Sequence, residues 1–271
     1  MSEPELHKIA EGREAEIFEW EDGTVLRLMR LSYGQESVEL QARALRAAHD
    51  AGVAVPTPGE TAMFDGRHGL VMERIDGPDL LTLIGTKPWH IWSVGTTTGE
   101  LQATMHMVAA PEGVPNLKDS LKRRIETSDR VPPEMAKFAL DALAELPDGD
   151  RLCHGDFHPG NILKTRDRNV IIDWSNVASG DPAADYARTL LMIRLGEPPP
   201  GGPFMLRTLA VVGRGALGVA IRRGYRQHRS VDEDLVRRWD VPVMANRLHE
   251  NIEEERSKLL KLLEERMNEG T

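Results

Sequence analysis

The residues Cys153-His154-Gly155-Asp156-Phe157-His158-Pro159-Gly160-Asn161-Ile162-Leu163, followed by Val170-Ile171-Ile172-Asp173-Trp174, decide how this chain is read. Asn161 follows Asp156 by five positions, and Asp173 closes a short strand pair, Asn161 to Lys164 with Asn169 to Ile172, joined by a polar turn. Phosphoryl transfer needs a carboxylate to hold an acceptor hydroxyl in line and oxygen ligands to hold magnesium against the phosphates. One solution uses a loop Asp for the first task, with an Asn five positions later and an Asp at the end of the next hairpin for the second. Asp156, Asn161 and Asp173 match that solution in residue type, spacing and strand context together. A competing reading makes Cys153, His154, Asp156 and His158 a metal site, since His154 and His158 stand at i and i+4 as on a zinc-protease helix. Gly155, Pro159 and Gly160 oppose a helix through them. Cys153 is expected to be buried at a strand end, as free cysteines generally are.

Outward from this stretch the chain reads as two unlike halves. Residues 6–75 alternate like strands around one helix. Glu16 to Trp20 and Thr24 to Leu28 flank Glu21-Asp22-Gly23, whose Asp-Gly pair favours a tight hairpin. A second hairpin joins Ala62 to Phe64 with Leu70 to Met72 around Asp65-Gly66-Arg67-His68-Gly69. Ser37 to His49 predicts a helix with Val38, Gln41, Leu45 and Ala48 on one face. From Leu80 onward the pattern is mainly helical: Ile91 to Val108, weakened by Gly95 and Gly99, then Pro133 to Leu146, Ala183 to Leu195 and Phe204 to Tyr225. Pro198 to Pro203 reads as a loop. The last helix is expected to begin near Asp240-Val241-Pro242, a capping acid and first-turn proline, with Met244, Leu248, Ile252, Leu259, Leu260 and Leu263 as its apolar seam.

The H-G-D-x-H-P-G-N-I-L string with I-I-D-W, and Gly180-Asp181-Pro182-Ala183-Ala184-Asp185-Tyr186-Ala187 after it, resembles the aminoglycoside phosphotransferase and choline-kinase-like family of small-molecule kinases. The resemblance extends over about Glu5 to Leu263, with Leu152 to Ala187 its specific part. It implies an α+β, protein-kinase-like bilobal fold: an antiparallel sheet with one helix in residues 1–75, a hinge at about 73–77, and a helical lobe in 78–271 holding the catalytic loop and the acceptor pocket. It implies ATP or GTP and Mg²⁺ as cofactors. By the same resemblance Asp156 is the catalytic base, Asn161 and Asp173 the metal ligands, and His154 and Asp185 the braces of the catalytic loop. Met72, Glu73 and Ile75 fall at the hinge, where the Glu73 carbonyl and Ile75 amide would meet the adenine edge. Gly12 falls in the phosphate-covering loop Gly12 to Glu16. The family includes antibiotic-resistance enzymes, and its acceptor is a small hydroxylated molecule.

Two positions depart from the family pattern. Arg27 stands where the family has a phosphate-binding lysine, and Gln41 stands where its glutamate partner belongs. An Arg grips phosphate bidentately but is longer and forked, and a Gln leaves it without a neutralising charge from the helix. Either Arg27 still positions the nucleotide, or the chain is a catalytically weak or inactive nucleotide-binding regulator. Glu39 is expected to pair with Arg43 on the surface.

Composition narrows the rest. The 271 residues carry 43 Asp+Glu against 34 Lys+Arg, a formal charge of −9, with 40% hydrophobic and 28% charged residues. That is a folded protein's balance, and its sign argues against nucleic acid as a partner. A single cysteine excludes an intramolecular disulfide. An acidic start, Met1 to Glu5, and no apolar run of about 18 residues argue for a cytoplasmic protein off the membrane; a monomer or homodimer is expected. Asp232, Glu233, Asp234, Asp240, Glu250, Glu253, Glu254 and Glu255 could line a pocket for a cationic acceptor. Asn246, Arg247 and His249 could equally serve a neutral or anionic one.

Overall fold

The computed structural model describes residues 6–196 and 204–269, without the side chains of 204–211. The proline-rich loop expected at 198–203 lies outside the described residues. The chain opens with strands β1 (Lys8–Glu11), β2 (Ala15–Glu19) and β3 (Thr24–Met29), helix α1 (Gln35–Asp50), and strands β4 (Pro58–Phe64) and β5 (Arg67–Glu73). The strands form one antiparallel sheet in the order β1-β2-β3-β5-β4. Asp65 and Gly66 both take positive φ, 49° and 66°. This two-residue turn twists with the strands it joins, so the five-residue turn expected at 65–69 tightens and Arg67, His68 and Gly69 enter β5. Val38, Gln41, Leu45 and Ala48 share the buried face of α1. Glu39 does not pair with Arg43; the Gln35 amide donates to it at 2.7 Å.

The remainder is mainly helical: α2 (Leu80–Thr86), α3 (Ile91–Met105), α4 (Leu117–Glu126) and α5 (Pro133–Ala144). Strands β6 (Arg151–Cys153), β7 (Ile162–Lys164), β8 (Asn169–Ile171) and β9 (Ala178–Gly180) pair as β6 with β9 and β7 with β8. Helices α6 (Pro182–Leu195), α7 (Phe204–His228), α8 (Glu233–His249) and α9 (Glu253–Glu269) follow. The carboxylate of Asp181 accepts the Ala183 N–H at 2.7 Å and Pro182 opens the first turn, so α6 starts where donor and ring geometry dictate. None of the described helices is long and apolar enough to cross a membrane.

The single terminal helix expected from Asp240 is two helices, and its start is misplaced. Asp232 caps α8, accepting from the N–H groups of Asp234 and Leu235 at 3.0 Å each. Pro242 lies inside α8 and is buried. Its local cost, about 3 kcal/mol in an exposed helix, is overridden by packing of α8 against α4, α5, α6 and α9. The break comes instead at Asn251, whose φ of 56° is a left-handed conformation that Asn tolerates.

Gly95 and Gly99, which weaken α3 as an isolated helix, are what lets it pack along α7. A Cβ on Gly95 would meet the side chain of Ala220 and the carbonyl of Leu217. One on Gly99 would meet the Ile221 carbonyl and the Tyr225 amide, and one on Gly224 the Thr96 carbonyl. Gly99→Ala therefore trades a helix-propensity gain of about 1 kcal/mol against larger overpacking. The expected net loss is about 1–3 kcal/mol, read from urea unfolding; a stabilised variant would refute this packing account.

Candidate active site

A cleft of about 1590 Å³ runs between the sheet and the helical part, and Gly12, Arg27, Met72, Glu73, Ile75, Asp156 and Asp173 all line it. Gln41, His154, Asn161 and Asp185 stand behind this surface and hold its members in place.

The loop after β6 is shaped by one buried carboxylate. Asp185, 2% exposed, accepts the Gly155 N–H at 2.7 Å and the His154 N–H at 3.3 Å. His106 Nε2 and the Gln102 amide reach its other side at 3.0 and 3.2 Å. Burial pushes its pKa up, but the His106 hydrogen bond and charge, His154 and the Gly155 N–H outweigh that and bring it down to about 2. Gly155 has a φ of 76° and lies against the Asn176 carbonyl, where a Cβ would clash. His154 is fully buried; its Nε2–H donates to the Ile172 carbonyl at 2.9 Å, so Nδ1 is the acceptor for the Asp156 N–H at 3.3 Å. The loop is thereby tied both to α6 and to the strand that leads to Asp173.

Asp156 projects into the cleft. Its Oδ1 accepts from Arg188 Nη2 at 3.2 Å, and its backbone carbonyl accepts the Asn161 amide at 2.9 Å. That bond spends the donor of Asn161 and leaves its carbonyl oxygen without a partner among the described residues. Asn161 sits in a single tight turn, Pro159–Asn161, rather than at the start of a strand. His158 caps that turn by accepting the Gly160 N–H at 3.0 Å. Burial, only partly offset by Asp156, lowers the His158 pKa. Asp173 stands two residues past β8 with a φ of 60°, so its carboxylate turns toward the sheet. Oδ1 accepts from Ser175 Oγ at 2.8 Å and from Arg27 Nη2 at 3.1 Å.

Arg27 thus bridges the two parts of the fold. Its Nη1 donates to Gln41 Oε1 at 2.6 Å, and the neutralising charge that Gln41 lacks comes from Asp173. The carboxyl of Glu73 accepts from the Thr57 amide at 3.0 Å and the Thr57 hydroxyl at 3.1 Å, and pairs with Arg168. These bonds hold its pKa low against the opposing effect of burial. The loop Gly12 to Glu14 is pinned from behind by Arg30, which donates to the Gly12 and Arg13 carbonyls at 3.1 and 3.0 Å.

The competing metal reading finds no support in this geometry. Burial pushes the Cys153 thiol well up, away from the thiolate a metal needs, and both ring nitrogens of His154 are engaged. No group of three or more His, Cys, Asp or Glu among the described residues could hold a metal.

Of the eight C-terminal acids expected near an acceptor, only Glu250 and Glu255 line the cleft. Asp232 caps α8, Glu233 binds Arg222 and Arg226, Asp234 binds Arg237, and Asp240 binds Arg266. Glu253 and Glu254 are exposed. Glu250 and Glu255 are themselves neutralised. Glu250 accepts from Arg188 at 2.6 Å and Arg247 at 2.7 Å, and Glu255 takes the fork of Arg247 at 2.6 and 2.8 Å. Sequence reasoning missed Arg188 and Arg124 as cleft residues. Arg188 had a local signal, three residues past Asp185 on one helix face. His106 and Gln102 had none, because each reaches Asp185 from about 80 positions away along the chain, through the tertiary fold alone.

The folded pKa of Asp185 lies below the ordinary aspartate value of 3.8. Its charge therefore stabilises the fold above that value, and the contribution is lost as pH falls toward about 2. Asp185→Asn should cost about 3–5 kcal/mol at neutral pH. The deficit relative to the parent should shrink below about pH 4; chemical unfolding from pH 7 to pH 3 measures both.

Residues 5–231 match the model of the family described as "Phosphotransferase enzyme family". No curated protein matches the chain. Among solved structures, a thermostable mutant of aminoglycoside phosphotransferase APH(4)-Ia aligns with a TM-score of 0.68 at 18% identity, covering 99% of this chain and 96% of that one. An amicoumacin kinase, hAmiN, in complex with AMP-PNP, Ca²⁺ and Ami, aligns at 0.67 with 14% identity over 98% and 88%. A choline/ethanolamine kinase family protein from Mesorhizobium loti aligns at 0.61 with 18% identity over 91% and 77%. At these identities the structures establish the shared fold. The family match spans most of the chain, including the loop from His154 to Asp173 and the Asp185 that braces it, and the chain belongs to the phosphotransferase enzyme family.

Proposed function

We propose that this chain transfers the γ-phosphate of ATP or GTP to a hydroxyl of a small metabolite or antibiotic. The acceptor oxygen bonds to the γ-phosphorus as the bond from that phosphorus to the β,γ-bridging oxygen breaks, and the hydroxyl proton passes to Asp156. The observation that carries this reading is the convergence of Asp156 and Asp173 on one cleft floor opposite Arg27, with Asn161 tied directly behind Asp156.

An apolar slot supports the nucleotide assignment: Ile17 and Val25 on the sheet side, Leu163 and Ile172 on the other, and Met72 to Ile75 at its end. Glu73 would offer its carbonyl and Ile75 its amide to the base. The Ile75 N–H donates to no other group among the described residues. Gly12 and Arg13 would cover the phosphates, and Arg27, backed by Gln41, would hold them. Residues 1–75 then act as the nucleotide-covering lobe, 73–77 as the hinge, and 78–271 as the lobe that binds the acceptor. His154 and Asp185 act as braces of the catalytic loop.

The donor set fits magnesium. The free carbonyl oxygen of Asn161 and the carboxylate of Asp173 are two hard oxygens, and Mg²⁺ usually binds through one or two carboxylates with phosphates and water completing its shell. When bound, the ion would neutralise charge across the phosphates. Asp156 orients the acceptor hydroxyl, and Arg188 fixes the rotamer in which it does so. This is catalysis by positioning and charge.

Structures of the fold carry nucleotides by name: one aminoglycoside phosphotransferase with ADP and hygromycin B, and another with GDP and kanamycin. A second reading, a nucleotide-binding protein with weak or no transfer, is favoured by the Arg27–Asp173 ion pair, which joins the phosphate-side cation to the metal-side carboxylate at 3.1 Å. Transfer requires that pair to open.

Mg-dependent release of ADP or GDP should fall about 100- to 10,000-fold in Asp156→Ala while AMP-PNP binding persists. Asp173→Ala should lose both turnover and the Mg dependence of nucleotide binding. Undiminished turnover in either variant refutes the reading. Tight AMP-PNP binding by the parent, with no nucleotide hydrolysed or transferred across a broad acceptor panel, would establish the second one.

A further inference from the structure

The cleft has a side branch of about 140 Å³ between α4, the catalytic loop and α8. Arg124, Ser175, Asn176 and Arg188 line both the branch and the main cleft. Two polar atoms on its residues are buried without a hydrogen-bond partner: Nε of Arg188 and Oδ1 of Asn246. Their side chains belong to residues only 9% and 2% exposed. A buried polar atom left unpaired costs about 1–3 kcal/mol; both atoms are sealed by packing, so they mark the polar wall of the branch and not its accessible surface.

The charges there are unevenly paired. Arg188 and Arg247 are matched by Asp156, Glu250 and Glu255. Arg124, on α4, forms no ion pair or side-chain hydrogen bond among the described residues. Its half-buried guanidinium has a pKa lowered first by burial, with Glu250 opposing and Arg188 and Arg123 adding to the fall. A half-buried guanidinium with no acid paired to it is suited to receive an anion. Its planar fork matches carboxylate and phosphate oxygens.

Resting on the kinase reading above, we propose that the acceptor is a hydroxylated molecule bearing an anionic group, a carboxylate or a phosphate, which seats in this branch against Arg124, beside Arg188. The same Arg188 holds Asp156 through Nη2 at 3.2 Å, so one guanidinium links the anion to the carboxylate that receives the hydroxyl proton. The branch has the volume of about four or five liquid waters, enough for a phosphate or for a carboxylate on a short chain. A polycation meets the opposite environment, because the two acids on the C-terminal side of the cleft are already saturated by arginine.

The test is nucleotide consumption with Mg–ATP and Mg–GTP over three acceptor groups: hydroxy acids and sugar phosphates, neutral sugars, and cations represented by kanamycin and choline. Mg–AMP-PNP binding is measured calorimetrically alongside. Turnover is expected with the anionic group. In Arg124→Gln the acceptor KM should rise about 10- to 100-fold, the loss of one charge-assisted contact, while kcat, AMP-PNP affinity and Tm stay near the parent's. Arg124→Lys should recover part of the loss. Preferred turnover of a neutral or cationic acceptor, an anionic acceptor whose KM ignores Arg124→Gln, or no turnover of any anionic acceptor would overturn the proposal. Intact Mg–AMP-PNP binding in the same protein keeps the kinase reading standing when the acceptor proposal falls.

Discussion

A single buried carboxylate organises the centre of this molecule. Asp185 gathers two consecutive backbone N–H groups, an imidazole and a side-chain amide. Those bonds more than offset the cost of burying its charge. They hold the loop at Gly155 in a backbone conformation only glycine adopts easily, pressed against the Asn176 carbonyl. From there the geometry passes outward. His154 reaches the strand before Asp173, Asp156 is turned into the cleft, and Asn161 is drawn onto its carbonyl. His106 continues the chain to Tyr225 at 2.7 Å, so α3, α6 and α7 all answer to the same group. Polar networks of this kind specify one arrangement because any partial version leaves a charge or a donor stranded in low dielectric.

A second network governs the other side of the cleft. Positive and negative groups alternate along Asp156, Arg188, Glu250, Arg247 and Glu255. Each carboxylate is consumed by a neighbouring guanidinium before it can present charge to a ligand. The net charge of −9 therefore says little about the cleft. Four of the eight C-terminal acids cap a helix or pair with arginines away from the cleft, and exposed ion pairs contribute little to stability. Arg124 lies beside this alternation and forms no ion pair among the described residues.

The legible parts of the fold were those in which local chemistry and tertiary demand agree. The Asp65-Gly66 turn, the buried stripe of α1 and the Asp181-Pro182 start of α6 all follow from short-range rules. The motif residues were legible too, because the spacing of Asp156, Asn161 and Asp173 is imposed by the loop and hairpin that carry them. The terminal helices misled for the opposite reason. Asp240-Val241-Pro242 has the chemistry of a helix start, yet Pro242 is an interior residue, held by the four helices around it. Gly95 and Gly99 look like flaws in α3 until α7 is laid across them.

The sequence by itself determined the family and the fold class, since the motif that carries them is written in spacings of a few positions that local backbone geometry must obey. Through the family resemblance it also implied that Arg27 faces Gln41 rather than an acid, as the bond between them bears out. Only the tertiary structure decided that Asp173 supplies the missing charge to Arg27 across 146 positions of chain. It alone decided that five of the eight acids of the last helices are spent on arginines, and that Arg124 and Arg188 share a small polar branch near Asp156. Charge balance within a cleft is a property of which distant side chains meet, and no periodicity along the chain encodes it.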